Sequence, residues 1–269
     1  MEVAETLGII AGNGVYPRLL ADAARRAGVK RIVAAAFTDE TDERLTAMVD
    51  EIQWMRVGQL AKMIASFRNA GVANAIMAGQ IAPKNLFDLR PDWKTLLLLA
   101  RLKRRNAESI FAAIGDELGK AGITLLPATT FLEEFLAPAG LIAGRKLTRR
   151  EEDDVTFGFE IAREVSRFDI GQTVIVKNGT VLAVEGFEGT NEAIRRGGTL
   201  GGKNAIMVKV AKPTQDMRFD VPVIGVATVE VATEAHLRVI AIESSRTLLL
   251  EKEALIAAAD HSNISIVAR

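Results

Sequence analysis

The chain has no cysteine among its 269 residues. That excludes disulfides, thiolate nucleophiles, cysteine-ligated zinc and iron–sulfur clusters. Only two histidines occur, His236 and His261, both in late segments that read as helical. A multi-histidine metal centre within one chain is therefore excluded as well. No charge of either sign is in excess, since 34 Lys and Arg balance 34 Asp and Glu. Nucleic-acid-binding domains are usually basic, so no nucleic-acid partner is expected. No apolar stretch approaches the roughly 18 residues needed to span a bilayer. The Met1–Glu5 start has no basic region ahead of an apolar run and so does not fit a signal peptide. A cytoplasmic protein is expected.

What is present is globular: 49% of residues are hydrophobic and 25% charged, far from the disordered range. A chain of this length buries enough surface to fold without a staple, as one large domain or two ordinary ones. Short apolar runs alternate with helical patterns in the first half. Thr6–Ala11, Arg31–Phe37, Ile52–Met55 and Asn74–Ala78 read as strands. Pro17–Arg26 reads as a helix with Pro in its first turn and Gly28 after its end. Gln59–Ala70 carries Leu60, Met63, Ile64 and Phe67 at helical spacing. Such alternation predicts a parallel sheet with covering helices. A loop over Leu86–Asp92, a helix over Trp93–Arg105, a helix over Ala107–Lys120 and a strand over Ile123–Leu126 follow. Leu136–Arg145, with Pro138, Gly140 and Gly144, is the candidate linker.

Beyond it, Thr148-Arg149-Arg150-Glu151 is a capping-box pattern. The helix it opens is expected to run to about Phe168, with Phe157, Ile161, Val165 and Phe168 facing inward. Thr173–Lys177 and Thr180–Glu185 flank Asn178-Gly179, the strongest short hairpin signal. Further strands are expected over Ala205–Val210, Val221–Val226, Val239–Glu243, Thr247–Leu250 and Ile264–Val267. Helices are expected over Thr228–His236 and Glu251–Ala259. The predicted fold is α/β with two domains. Residues 1–137 form a Rossmann-like, nucleotide-binding-like domain with a mostly parallel sheet. Residues 138–269 form a mixed α/β catalytic and lipid-substrate domain containing the hairpin.

Five places could carry chemistry. Gly12-Asn13-Gly14 lies between a strand and a helix, where amides and the helix N-terminus can meet a phosphate. A dinucleotide fingerprint would want a third glycine where Pro17 stands, and Asp39 could serve as the ribose acid. A plain tight turn is the alternative. Gly79-Gln80 ends another strand, on the side where α/β sheets gather ligands; an ordinary β–α loop is the alternative. Trp93–Arg105 joins apolar bulk to a basic cluster, either for an anionic membrane surface or as a core helix with a solvated end. Glu185-Gly186-Phe187-Glu188-Gly189-Thr190 could bind metal, phosphate or sugar, unless Thr190 merely caps the next helix. Lys209–Pro222 packs two lysines, Arg218, Asp216 and Asp220 between apolar strands. The cations could neutralise a diphosphate, and Asp220 could bind Mg2+ or orient water. A solvated loop with internal ion pairs is the alternative.

At these residues the sequence resembles a known family, the two-domain, magnesium-dependent cytoplasmic UDP-2,3-diacylglucosamine pyrophosphatases of lipid A biosynthesis. The matching elements, in family order, begin with Gly8–Gly14 and Pro17, then Ala78-Gly79 and Leu89-Arg90-Pro91-Asp92. Asp169-Ile170-Gly171-Gln172, Val181–Glu185 and Glu188-Gly189-Thr190 follow. Lys212-Pro213 to Gln215 and Arg218–Gly225 complete the set. The resemblance implies cleavage of the diphosphate of UDP-2,3-diacylglucosamine to UMP and 2,3-diacylglucosamine 1-phosphate, with Mg2+ as cofactor and two domains closing on the lipid-linked nucleotide. Its key aspartate matches Asp220, as catalytic residue and metal ligand. Gly12, Asn13 and Gly14 would serve the nucleotide half. Gly79, Gln80, Gln172, Glu185, Gly189, Thr190, Lys209 and Lys212 are the further substrate-contact candidates. Transient contact with the inner-membrane surface or neighbouring lipid A enzymes, and a homodimer, are compatible partners. The rival expectations are an NAD(P)-dependent oxidoreductase and a non-catalytic nucleotide- or lipid-binding module.

Overall fold

The computed structural model describes residues 5–81, 91–103, 107–213 and 215–269. Most of the loop expected over Leu86–Asp92, including Leu89-Arg90, lies outside the described residues, as do Arg104, Arg105 and Thr214. The chain forms two compact units. One comprises Met1–Glu133 with Asp216–Asp220, the other Glu134–Gln215 with Val221–Arg269.

The first unit is built on β1 (Thr6–Ala11), β2 (Arg31–Phe37), β3 (Glu51–Met55), β4 (Asn74–Ala78) and the two-residue β5 (Thr124–Leu125). The sheet order is β3-β2-β1-β4-β5, and every pairing is parallel. The central strands are buried almost throughout, as strands covered on both faces must be. The chain runs outward through β2 and β3, then returns to place β4 on the other side of β1. That reversal puts the carboxyl ends of β1 and β4 side by side, the position where such sheets bind ligands. Helices Tyr16–Arg26, Leu60–Asn69, Trp93–Arg101 and Ala107–Lys120 cover the sheet. Leu60, Met63, Ile64 and Phe67 are the buried face of the second, as their spacing predicted.

The second unit carries a six-stranded mixed sheet, β6-β13-β11-β9-β7-β8, and a two-stranded parallel pair, β10 with β12. Its strands are β6 (Gly140–Ala143), β7 (Thr173–Lys177), β8 (Thr180–Val184), β9 (Ala205–Lys209), β10 (Val223–Ile224), β11 (Leu237–Ile242), β12 (Leu248–Leu249) and β13 (Ser265–Ala268). Its helices are Arg149–Arg167, Thr190–Gly201, Val226–Glu234 and Lys252–His261. The β7–β8 hairpin forms at Asn178-Gly179, with φ of 49° and 68°, the double positive φ of a type I′ turn. Asp154 supports the turn by accepting from both amides, at 2.8 and 2.7 Å.

Three expectations need correction. The candidate linker contains β6: Gly140, Leu141 and Ala143 pair antiparallel with β13, with Ile142 at a break in the register, so the segment is an edge strand of the second sheet. The helix Arg149–Arg167 buries Val155, Gly158, Phe159, Ala162 and Ser166 rather than the bulky stripe expected. A Cβ on Gly158 would stand 2.4 Å from Val208 Cγ2, so helix and sheet are too close for large side chains between them. Phe157, Ile161 and Val165 flank the contact, and Phe168 is exposed. Finally, His236 lies beyond the end of helix Val226–Glu234, at φ 55°.

The capping box at Thr148 forms as predicted. Thr148 Oγ accepts from the Glu151 amide, and Glu151 accepts from the Thr148 amide at 2.7 Å. Burial pushes the Glu151 carboxyl up, but the bonds from Arg145 and Thr148 outweigh it and hold the group at about 2. Thr148→Ala should lower unfolding stability by about 1 kcal/mol in urea titration. A lowered carboxyl stabilises above its unfolded value and loses that contribution on protonation. The Glu151 share should therefore be intact above about pH 4.5 and vanish as pH falls towards 2, with Glu151→Gln flattening that part of the stability–pH curve.

Candidate active site

At the carboxyl ends of β1 and β4 the two loops cross at backbone contact. The Gly12 amide donates to Ala78 O at 2.8 Å, the Asn13 amide to Gln80 O at 2.7 Å, and the Gln80 amide to Asn13 O at 3.2 Å. The crossing explains both glycines. A Cβ on Gly12 would lie 2.5 Å from Gln80 O, and one on Gly79 would lie 2.5 Å from Asn13 O, with Gly79 at φ 91°. Gly14 has φ 91° and open space around it. Gly12, Asn13, Gly79 and Gln80 are thus brought together, and Gly14 adjoins them.

This crossing bears directly on the dinucleotide alternative. A pyrophosphate cradle needs the amides of the first turn free. Two of them, those of Gly12 and Asn13, are spent on the β4 loop. Asp39 sits exposed beyond the end of β2 in a left-handed conformation.

Below the crossing lies an apolar cavity of about 340 Å3. Its floor is Ile10, Phe37, Met77 and Ala78 from the strands, and its walls are Leu60 and Met63, Leu98 and Leu99, and Ile110, Phe111 and Ile114 from three helices. Gly12, Gly79, Gln80 and Asp220 stand on its lining. The volume falls at the lower end of the roughly 300–1,000 Å3 typical of small-molecule sites. One carboxylate braces the walls. Asp92 accepts from the Thr95 amide at 3.0 Å and the Ala61 amide at 2.6 Å, capping two helices at once. Thr95 Oγ donates to Gly58 O at 2.6 Å. These anchors were missed by periodicity, although the Asp92-x-x-Thr95 spacing is a cap signal.

Asp220 reaches the cavity because residues Asp216–Asp220 pack with the first unit. The segment is a tight turn: the Phe219 and Asp220 amides both donate to Asp216 O, at 3.2 and 2.9 Å. Arg218 clamps the turn by pairing with the Asp216 carboxylate at 2.6 Å. That guanidinium, with the Arg218 amide, holds the Asp216 carboxyl below the usual range. Met217 O accepts from the Ala128 amide at 2.7 Å, and the Phe219 ring meets Phe111 at 5.8 Å between centroids. The internal ion pair expected of a plain loop is therefore present, between Asp216 and Arg218, and it shapes the turn that presents Asp220.

The remaining candidates cluster in the second unit. Glu185 and Lys209 are buried, at 8% and 6% exposure. Thr190 Oγ donates to Glu185 Oε1 at 2.9 Å and accepts from Lys209 Nζ at 3.2 Å. The Gln172 amide donates to Glu185 Oε2 at 3.4 Å, while Gln172 Oε1 is buried with no hydrogen-bond partner. Lys212 Nζ pairs with Asp169 at 2.5 Å. Thr190 is not the helix cap: Gly189, at φ 84°, takes that position with no side-chain bond, and the Thr190 hydroxyl turns to Glu185 instead. Gln172, Glu185, Thr190 and Lys209 are brought together, and Gly189 adjoins Thr190. Among the described residues, no group of three or more His, Cys, Asp or Glu converges as a metal site.

Residues 6–135 match the family model described as the LpxI N-terminal domain, and residues 138–267 the one described as the LpxI C-terminal domain. A two-domain α/β protein with that pair of modules belongs to the LpxI family, and this chain is a member of it. It is 31% identical, over 97% of its length and 96% of the relative's, to the UDP-2,3-diacylglucosamine pyrophosphatase LpxI of Caulobacter vibrioides. A solved structure, the biotin carboxylase domain dimer of Hydrogenobacter thermophilus 2-oxoglutarate carboxylase, overlaps 67% of this chain and 36% of that one. At TM-score 0.29 and 13% identity, that overlap carries no argument.

Gly79→Ala places a methyl group against backbone at a positive φ. It should cost more than about 1 kcal/mol of stability in thermal unfolding. It should also open the crossing, seen as faster amide exchange at Gly12 and Asn13.

Proposed function

We propose that this chain hydrolyses the diphosphate of UDP-2,3-diacylglucosamine, releasing UMP and 2,3-diacylglucosamine 1-phosphate in the cytoplasm. A hydrolase role in lipid A biosynthesis follows from membership of the family and from the full-length similarity to the Caulobacter pyrophosphatase. The single observation that carries the finer reading is an acidic side chain, Asp220, on the lining of a mostly apolar cavity. A diacylated sugar needs an apolar enclosure, and an anhydride needs charge control at its edge. The occupied amides of Gly12 and Asn13 disfavour the NAD(P) alternative.

The donor chemistry fits Mg2+. A cage of several protein carboxylates is absent among the described residues, but Mg2+ is commonly held by one or two carboxylates, with water and substrate phosphate completing its shell. Asp220 would hold it, and the ion would supply charge neutralisation at the pyrophosphate. The residues themselves do the positioning. The Asp216–Arg218 pair fixes the turn so that Asp220 need not be ordered on binding. The apolar walls receive an acyl chain and exclude bulk water. In the reaction, water adds to one phosphorus and the anhydride oxygen leaves with the other phosphate. Gln172, Glu185, Thr190, Lys209 and Lys212 are assigned to substrate contacts on the family resemblance and on their clustering.

Asp220→Ala and Asp220→Asn should each cut UMP release by at least about 100-fold while far-UV circular dichroism stays unchanged. EDTA should abolish release by the wild type, with Mg2+ restoring it. Turnover near wild type in either variant would sink the assignment. Ile114→Trp, which fills the cavity, should raise KM for the diacylated substrate severalfold with a smaller change in kcat.

A further inference from the structure

The helix Trp93–Arg101 is apolar on both sides. Thr95, Leu98 and Leu99 face the cavity. On the opposite side Trp93, Leu96 and Leu97 are 65%, 55% and 49% exposed, and Ala100 is exposed as well. These positions recur at i, i+3, i+4 and i+7, so they form one stripe. A contiguous stripe of large apolar side chains on a soluble surface marks a contact waiting to be made.

We propose that this outer face docks on the anionic leaflet of a phospholipid bilayer, seating the cavity wall at the lipid surface. Charge selects this occupant. Residues 93–103 contain Lys94, Arg101 and Lys103 and no acidic residue, and of the two acids beside them, Asp116 and Glu117, Glu117 is already paired with lysines. Lys94 is engaged by Glu117 at 2.7 Å, while Arg101 and Lys103 are exposed beside the apolar stripe. Apolar side chains flanked by cations, with a tryptophan at the margin, are the composition of an interfacial helix. A second copy of the chain is disfavoured, because a two-fold contact would set this basic patch against itself. The depth is also suitable. Residues on one helix face would enter the lipid while those on the other line the cavity, one helix diameter away, about 10 Å. A lipid leaving the leaflet would then cross only that wall. This docking surface rests on the function proposed above for the identity of the lipid, but vesicle binding is read without substrate and UMP release in its own assay, so the two can fail separately.

The full-length chain is tested with Trp54→Phe, which leaves Trp93 as the sole tryptophan. It should sediment with phosphatidylcholine vesicles containing phosphatidylglycerol and hardly at all with phosphatidylcholine alone. Trp93 emission should shift to the blue and be quenched by brominated acyl chains. Leu96→Ser with Leu97→Ser should weaken the binding by at least about tenfold. Arg101→Gln and Lys103→Gln should each weaken it about fivefold, and added salt should mimic them. The charge substitutions lie on the surface, so they remain informative if the serine pair perturbs folding. Absent sedimentation, an unshifted Trp93, or serine variants that bind like the parent would overturn the assignment. So would a dimer in light scattering that the serine pair dissolves. Loss of UMP release with vesicle binding intact would count against the proposed hydrolysis and leave the docking surface standing.

Discussion

The backbone crossing between Asn13 and Gln80 is the constraint on which the first unit turns. Two loops at neighbouring strand ends exchange hydrogen bonds, and the exchange is possible only because Gly12 and Gly79 leave room for it. It closes one end of the apolar cavity and spends amides that a mononucleotide fold ordinarily offers to phosphate. A Rossmann-like strand order thus persists while two of the amides it usually offers to phosphate are engaged by the neighbouring loop. The fold supplies the place, and the local bonding decides what can be done there.

The second requirement is delivery of charge to that apolar place. Asp216–Asp220 belongs by contact to the first unit although it comes from late in the chain. Its turn is fastened at three points: the Arg218–Asp216 pair, the Met217–Ala128 bond and the Phe219–Phe111 contact. Each is modest, since a partly exposed ion pair contributes about 1 kcal/mol or less. Together they fix a carboxylate that apolar surroundings alone would push outward. In the second unit, buried Lys209 and Glu185 are joined through the Thr190 hydroxyl, a bridge between opposite charges that avoids leaving either unsatisfied.

Much of this was legible in the residues, for reasons that differ by element. Strands β1, β2 and β4 fall where uninterrupted apolar runs end at Gly or a polar turn, because burial on both faces leaves no room for alternation. The hairpin and the Thr148 cap were legible because their signals are local chemistry. The inward stripe of Arg149–Arg167 was misjudged because periodicity assumes that large side chains face the core, whereas Gly158 sets the helix so close to β9 that small ones must. Strand β6 was hidden because Gly140 and Gly144, which look like breakers, stand at its start and just after its end with positive φ. At the site, Asp220 and its charged neighbours stood out as density of charge between strands. The cavity did not, since stripes on three separate helices point at one another only after folding, and the excursion of Asp216–Asp220 leaves no local trace.

The shared carboxylate of Asp92 has a consequence for motion. It ties the first turn of Leu60–Asn69 to the first turn of Trp93–Arg101, so neither helix can fray at that end without releasing the other. Two walls of the cavity are thereby coupled into one mechanical element, joined through the side chains of Asp92 and Thr95. Widening the chamber to admit a bulky guest would proceed as one concerted swing rather than as independent breathing of its sides.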